Sequence, residues 1–254
     1  MASIDFLKGI IKLPYDVDTF AHRSGPIDKD RPTFMRNGGS LNINGQNVDV
    51  VIWNSGFVTY HQVTSNVLLS FSFGGCAMGI YVDEAKSYGV HIHDGTFNDD
   101  RKKDFIDFIQ LKGIYEHFVF QPTHVSQIYN IKKLFAERRD FTSWGAILDG
   151  RHCYSIILEI IDGANGEPTT YHTMCIVKHS AYEDRANINK TLFHYGFPGR
   201  APRHALSQGE YRELKGRWNR TLEYDRKAKI IYKAPEYDAY LCSQLYYPIV
   251  PSVR

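Results

Sequence analysis

The sequence lacks any apolar run of the roughly 18 to 20 residues that a membrane-spanning helix needs. Its four cysteines form no CxxC pair, which argues against a zinc ribbon. It also lacks a strong charge of either sign, because 30 basic and 28 acidic residues leave a net charge of +2. This balance argues against a polybasic nucleic-acid binder and against an acidic tail. The first residues carry early charges and no long apolar stretch, so we expect no Sec signal.

The cysteines Cys76, Cys153, Cys175 and Cys242 are widely spaced along the chain. Cys153 and Cys175 each lie in an apolar run that predicts a strand, so we expect buried, reduced thiols there and no disulfide. Such thiols are typical of a protein that works in a reducing cytosol. The compartment is either the cytosol of the producing cell or the cytosol of a host cell into which the protein is secreted.

With 254 residues, 43% of them hydrophobic, the chain is long enough to bury a sizeable core. Strands come first and helices are inserted between further strands, so we expect an α+β fold whose mostly antiparallel sheet or sandwich core is flanked by helices. We expect a single domain, 1–254. Its parts would be an N-terminal arm at 1–40, a catalytic β-rich core at 41–177 and a C-terminal α/β extension at 180–254.

Apolar periodicity predicts where the helices and strands lie. Strands are predicted at 41–43, 48–53, 58–63, 68–73, 78–82, 88–92, 115–120, 144–148, 153–161, 169–177 and 229–233. Helices are predicted at 4–11, 98–112, 124–139, 207–220 and 236–246. Asn44-Gly45 suits a type I′ turn between the first two strands. In strand 68–73, alternation predicts Leu69, Phe71 and Phe73 on one face and Ser70 and Ser72 on the other.

The segment from Ser70 to Gly95 carries the most specific chemical pattern. An alternating strand leads into Gly74-Gly75 and then Cys76, and the second strand after it carries His91 and His93. A cysteine on a glycine turn, followed by histidines on a nearby strand, is typical of a Cys–His nucleophilic site, in which a base or cation must generate the thiolate. Because cysteine is also among the most buried residue types, an inert Cys76 in a non-catalytic binding module is the alternative.

This segment resembles the catalytic core shared by chemoreceptor glutamine deamidases, the cytotoxic necrotizing factor toxins and the Burkholderia lethal factor. Those proteins place a glycine- or serine-flanked cysteine after a strand and a histidine on the following hairpin. Here His93 follows Cys76 by 17 residues, as in the chemoreceptor deamidases, and His91 follows it by 15, nearer the necrotizing-factor spacing. Ser70 stands six residues before Cys76, where several members have a threonine. Gly75 replaces the usual serine before the cysteine.

The resemblance implies a cysteine-dependent protein-glutamine glutaminase, a hydrolase, that needs no cofactor and no metal. Cys76 would attack a glutamine side-chain amide, His93 would be its base with His91 as the alternative, and Ser70 would orient the imidazole. Backbone amides at Gly74 and Gly75 would approach the oxyanion. Water would complete deamidation, and an amine would give transglutamination. The resemblance implies a bacterial toxin or effector acting on a host protein with an exposed glutamine, such as a GTPase or a translation factor.

Two other chemistries fit parts of the pattern. His91-Ile92-His93 is an HxH motif of the kind found in metal-binding cupins, with Asp99 or Asp100 as a carboxylate ligand. A papain-like cysteine hydrolase would instead pair Cys76 with a distant histidine, His152 or His172.

Overall fold

The structure is a computed structural model, and it describes residues 3–13, 25–94, 101–114, 117–123, 141–162, 169–179, 207–209, 212 and 229–237. These residues form a mostly β fold with two sheets and one α-helix of more than one turn, so the predicted α+β class with a mostly antiparallel core is confirmed. The strands are β1 (Ile10–Lys12), β2 (Phe34–Arg36), β3 (Gly38–Ile43), β4 (Gln46–Val51), β5 (Val58–Gln62), β6 (Val67–Ser70), β7 (Ala77–Asp83), β8 (Lys86–Ile92), β9 (His117–Phe120), β10 (Phe141–Leu148), β11 (His152–Asp162), β12 (Thr170–His179) and β13 (Lys229–Lys233). The helix, α1, spans Lys102–Lys112.

The larger sheet has the strand order β1-β12-β11-β10-β6-β4-β3. Strand β1 pairs with the first residues of β12, and β13 pairs with later residues of the same strand. Its pairs are antiparallel except β4 with β6. The predicted turn between β3 and β4 is confirmed, since Asn44 and Gly45 both have the positive φ of a type I′ turn. Strand β10 is central, and both of its faces are buried.

The smaller sheet has the order β2-β5-β8-β7-β9, with only β2 and β5 parallel. Its centre is the β7–β8 hairpin, whose two-residue turn, Glu84-Ala85, also has positive φ at both positions. Helix α1 packs its apolar stripe against this sheet, and the Phe105 and Phe108 rings contact the ring of Tyr81. Gly113 ends the helix in the left-handed conformation.

Two apolar cores result, one on each face of the larger sheet. The first, which we call the inter-sheet core, contains side chains from both sheets and from α1, including Leu68, Ile92 and Phe105. The second, the outer core, lies on the opposite face and includes Trp144 and Ile156. Residues 10–12, 34–36 and 38–40, which fall in the predicted N-terminal arm, are strand residues of these sheets.

Two local predictions are wrong. The helix predicted at 4–11 is a single 3-10 turn, Ile4–Leu7, followed by strand β1. Strand β6 ends at Ser70 and does not continue to 73, because Ser72 adopts a positive φ of 57°. This residue reverses the alternation, so Phe71 packs in the outer core while Phe73 packs in the inter-sheet core.

The strands predicted at 144–148, 153–161, 169–177 and 229–233 are confirmed. The helix predicted at 98–112 is also confirmed, but it begins at Lys102. The predicted helix 124–139 lies outside the described residues, as do most of the helices predicted at 207–220 and 236–246. In the described part of the chain, no helix combines the length and apolarity that a membrane crossing requires.

Candidate Cys–His active site

The loop that presents Cys76 is held on both sides by hydrogen bonds. The Phe73 backbone amide donates to the Ser143 carbonyl of β10 at 2.9 Å. The Gln121 side-chain amide donates to the Gly75 carbonyl at 2.6 Å. Strand β7 begins at Ala77, directly after the cysteine. The glycine turn is therefore tied to its surroundings, and Cys76 occupies a fixed position at the entrance of a strand.

The register of the β7–β8 hairpin brings the histidines next to this position. Ala77 lies opposite Ile92, and Met78 lies opposite His91. Cys76 directly precedes β7, and His93 directly follows β8, so both flank the terminal Ala77–Ile92 pair of the hairpin.

Ser70 and His91 form a buried hydrogen bond between the two sheets. Ser70 Oγ lies 2.7 Å from His91 Nδ1 and donates to the Val51 carbonyl, also at 2.7 Å. A carbonyl only accepts, so the single hydroxyl proton goes to Val51, and Ser70 must accept a proton from His91 Nδ1. This network assigns the neutral tautomer in which His91 Nε2 carries the lone pair.

The surroundings of His91 keep its ring neutral. The residue is fully buried, and its ring stacks on Phe73 with centroids 4.2 Å apart and planes at 5°. Burial, with a smaller contribution from the nearby His93, lowers the pKa of His91 to about 3. His91 Nε2 makes no hydrogen bond within the described part of the chain. The ring therefore presents an unprotonated, desolvated nitrogen.

His93 has a different environment. It follows the last residue of β8 and is half-buried, and its Nδ1 accepts a hydrogen bond from Trp53 Nε1 at 3.2 Å. The expectation that Ser70 orients His93 is corrected, because the hydroxyl binds the imidazole two residues earlier. Of the two histidines considered, His91 has the serine partner that the resemblance implies for the base.

Cys76 is a buried thiol, 6% exposed, at the edge of the inter-sheet core. Burial raises the pKa of the Cys76 thiol, and the Asp94 carboxylate also raises it. The backbone amides of Asp94 and Gly75, and the charge of Lys102, oppose this effect. Burial thus keeps both the Cys76 thiol and the His91 imidazole neutral.

Sequence analysis missed an ion pair beside the cysteine. Lys102 Nζ lies 2.9 Å from Asp94 Oδ2, and the lysine side chain is only 2% exposed. Lys102 stands at the first position of the i, i+3, i+4, i+7 stripe whose other members, Phe105, Ile106 and Ile109, are buried. A lysine in register with an apolar stripe is the signal that would have identified it.

A second buried serine–histidine pair lies on the same face of the larger sheet. Ser155 Oγ donates to the Pro122 carbonyl at 2.5 Å and lies 2.7 Å from His179 Nε2. In the register of β6, β10 and β11, Gly145 separates Ser70 from Ser155. A buried serine–histidine bond is thus a structural device of this sheet as well. The Ser70 pair differs because its histidine stacks on Phe73, the residue directly before the glycine turn.

The alternative sites receive less support from the geometry. The described residues include no group of three or more histidine, cysteine or acidic side chains arranged to hold a metal ion, while Asp99 and Asp100 lie outside them. His172 lies on β12 of the larger sheet, where its ring packs against Tyr237. His152 begins β11. Cys153 and Cys175 are buried free thiols, as predicted, and Cys242 lies outside the described residues.

An open pocket adjoins the glycine turn. Its volume is about 460 Å³, and its lining includes Ser72, Phe73, Gly74, Thr123 and Ser143. The Ser143 hydroxyl is buried and has no hydrogen-bond partner among the described residues. Space for a side chain of a substrate thus exists beside the loop that carries Cys76.

Comparisons of the chain with protein-family models, with curated proteins and with solved structures found no match.

Proposed function

We propose that this protein is a cysteine-dependent protein-glutamine deamidase in which Cys76 is the nucleophile and His91 is the base. The observation that carries the proposal is the Ser70–His91 hydrogen bond, which fixes the imidazole tautomer and leaves the basic Nε2 unpartnered among the described residues. His91 lies on β8, which pairs with β7, the strand that begins directly after Cys76. A third group that orients the base of a nucleophile is the general pattern of such sites.

In the first half-reaction, His91 Nε2 takes the thiol proton as the Cys76 sulfur attacks the carboxamide carbon of a glutamine. The tetrahedral intermediate collapses when the C–N bond breaks and the imidazolium protonates the leaving nitrogen, which releases ammonia and leaves a thioester. In the second, water attacks the thioester with His91 again as base, the C–S bond breaks, and the thiol is restored. A primary amine in place of water would give transglutamination.

The resting geometry is compatible with this mechanism. Hydrogen bonds between catalytic groups are commonly long or absent in an unliganded site and tighten only with substrate. The neutral thiol carries the one proton that the mechanism transfers, and the neutral imidazole can accept it. Backbone amides beside the sulfur, those of Gly75 and Asp94, are the nearest donors for negative charge that develops during the reaction.

The proposed substrate is a protein with an exposed glutamine, such as a GTPase or a translation factor, and the proposed biological role is that of a bacterial toxin or effector secreted into a host cytosol. The three described cysteines are free thiols, which suits a reducing compartment. The resemblance of the Ser70–Gly95 segment to the deamidase toxins supports the role.

The test is ammonia release from a eukaryotic cytosolic lysate treated with the purified protein. Cys76→Ser should reduce the release by about 10²- to 10⁴-fold or more, because it removes the nucleophile. Cys175→Ser, which alters a buried thiol on β12 of the larger sheet, is the matched control and should retain activity. Full activity in Cys76→Ser would refute the proposal.

A further inference from the structure

The ion pair between Asp94 and Lys102 lies next to Cys76, and the mechanism above assigns no role to its two charged side chains. Asp94 follows His93 at the end of β8, and Lys102 is the first residue of α1. Their charged atoms are 2.9 Å apart, with the lysine side chain 2% exposed and the aspartate side chain 25% exposed. Removing a lysine from water this completely is costly unless a partner compensates its charge.

Both members of the pair act on the nucleophile. The Asp94 backbone amide lies beside the Cys76 sulfur, and both the Asp94 carboxylate and the Lys102 ammonium lie close enough to affect the charge of the thiol. The Asp94 carboxylate also lies against the glycine turn, since a Cβ atom added to Gly75 would be 3.0 Å from Asp94 Oδ2. The pair is therefore packed between α1 and the residues that present the cysteine.

We propose that Lys102 is a positioning residue of the Cys76 site. It holds Asp94 so that the Asp94 backbone amide faces the sulfur, and its positive charge stabilises the thiolate formed during the reaction. Burial is the main reason that the resting thiol is neutral, and the Asp94 carboxylate also opposes its ionisation, so the Lys102 charge offsets part of that cost. The inference rests on the proposed function only in taking Cys76 as the nucleophile.

The test is a titration of the Cys76 thiol by NMR on protein carrying ¹³C-labelled cysteine, with the Cys76 signal assigned as the one absent from Cys76→Ser. Lys102→Met keeps the length of the side chain and removes its charge, and it should raise the thiol pKa by about one unit or more. Asp94→Asn should lower it by a similar amount. Lys103→Met is the matched control, because Lys103 is the next residue on α1 and pairs with Asp107 at 2.5 Å, and it should leave the thiol pKa unchanged.

The proposal is overturned if folded Lys102→Met leaves the thiol pKa unchanged or lowers it, or if Lys103→Met shifts it equally. If Asp94→Asn does not fold, the double variant Asp94→Asn/Lys102→Met, which removes both charges, should titrate below Lys102→Met, and an equal or higher pKa overturns the proposal. In the activity assay, Lys102→Met should lower kcat with little change in KM. The titration needs no substrate, so it tests the effect of Lys102 on the Cys76 thiol separately from ammonia release, which tests the deamidase function.

Discussion

The Ser70 hydroxyl and the His91 ring join the two sheets through a 2.7 Å hydrogen bond. Ser70 belongs to β6 of the larger sheet and His91 to β8 of the smaller one. The bond therefore depends on how the two sheets pack, and it fixes the imidazole with its basic nitrogen on the side away from the serine.

Removing the Ser70 hydroxyl should impair both stability and catalysis. Ser70→Ala leaves His91 Nδ1 and the Val51 carbonyl without their buried partner, which should lower the free energy of unfolding by about 1–3 kcal/mol. Ammonia release should fall more than this loss of folded protein explains, because the imidazole is no longer held in one tautomer. Urea unfolding and initial rates on the same preparation measure the two effects.

Ser155→Ala is the matched control for that variant, since Ser155 makes the equivalent buried contacts to His179 and Pro122. We expect a similar loss of stability and an unchanged specific activity. Equal losses of specific activity in the two variants would mean that Ser70 has only a structural role.

The pH dependence of kcat/KM should identify the base. The pKa of His91 is lowered to about 3, mainly by burial, so its ring remains neutral from about pH 5 to pH 8. We therefore expect a flat profile between about pH 5 and pH 8, with no loss of activity centred near 6.5, where an unperturbed histidine titrates. An acidic limb centred between pH 6 and 7 would point to a histidine other than His91.

Buried neutral histidines should make the protein sensitive to mild acid. Burial lowers the pKa of His91 and His179 to about 3 and that of His117 to about 4. Between about pH 6.5 and 4 the unfolded chain binds protons that the folded protein does not, so the free energy of unfolding falls as pH falls. Each histidine contributes a slope of about 1.4 kcal/mol per pH unit in this window.

Urea titrations at pH 7.5, 6.0 and 5.0 measure that slope. His179→Gln should reduce it by about one third of the contribution of the three histidines, while lowering stability at pH 7.5. An unaltered slope in His179→Gln would contradict the assignment of a neutral, buried ring.

The two glycines before Cys76 should differ in their tolerance of a side chain. A Cβ atom at Gly75 would be 3.0 Å from Asp94 Oδ2, whereas one at Gly74 would meet no atom within 4 Å. Gly75→Ala should therefore lower the free energy of unfolding by about 1–3 kcal/mol, because the carboxylate is held by Lys102. Gly74→Ala should change it by about 0.5 kcal/mol or less. Equal effects in thermal or urea unfolding would show that Asp94 moves freely.

Local pattern was enough to predict most of the strands, because alternation and turn chemistry act within a few residues. The Asn44-Gly45 turn and the β7–β8 hairpin, which carries both histidines, follow from such signals. It was also enough to propose Ser70, Cys76 and the two histidines as one group. The positive φ of Ser72 was not predictable, since serine rarely adopts it and only the surrounding structure imposes it.

The choice between the histidines depended on tertiary packing. His91 lies on β8 and His93 directly follows that strand, two residues later, so spacing from Cys76 did not distinguish their environments. The packing of β6 against β8 lets Ser70 form a hydrogen bond with His91, whereas His93 accepts a hydrogen bond from Trp53. The Asp94–Lys102 pair likewise joins a strand end to a helix start, which no local pattern connects.

The most direct test of the central claim is peptide mass spectrometry of a host cytosolic lysate after treatment with wild-type protein or with Cys76→Ala. The account predicts that wild-type protein produces, at one glutamine of one protein, the small mass gain that marks an amide converted into an acid, and that Cys76→Ala does not. Identical peptide masses after both treatments, across a deep proteome and with both proteins shown to be folded, would contradict it.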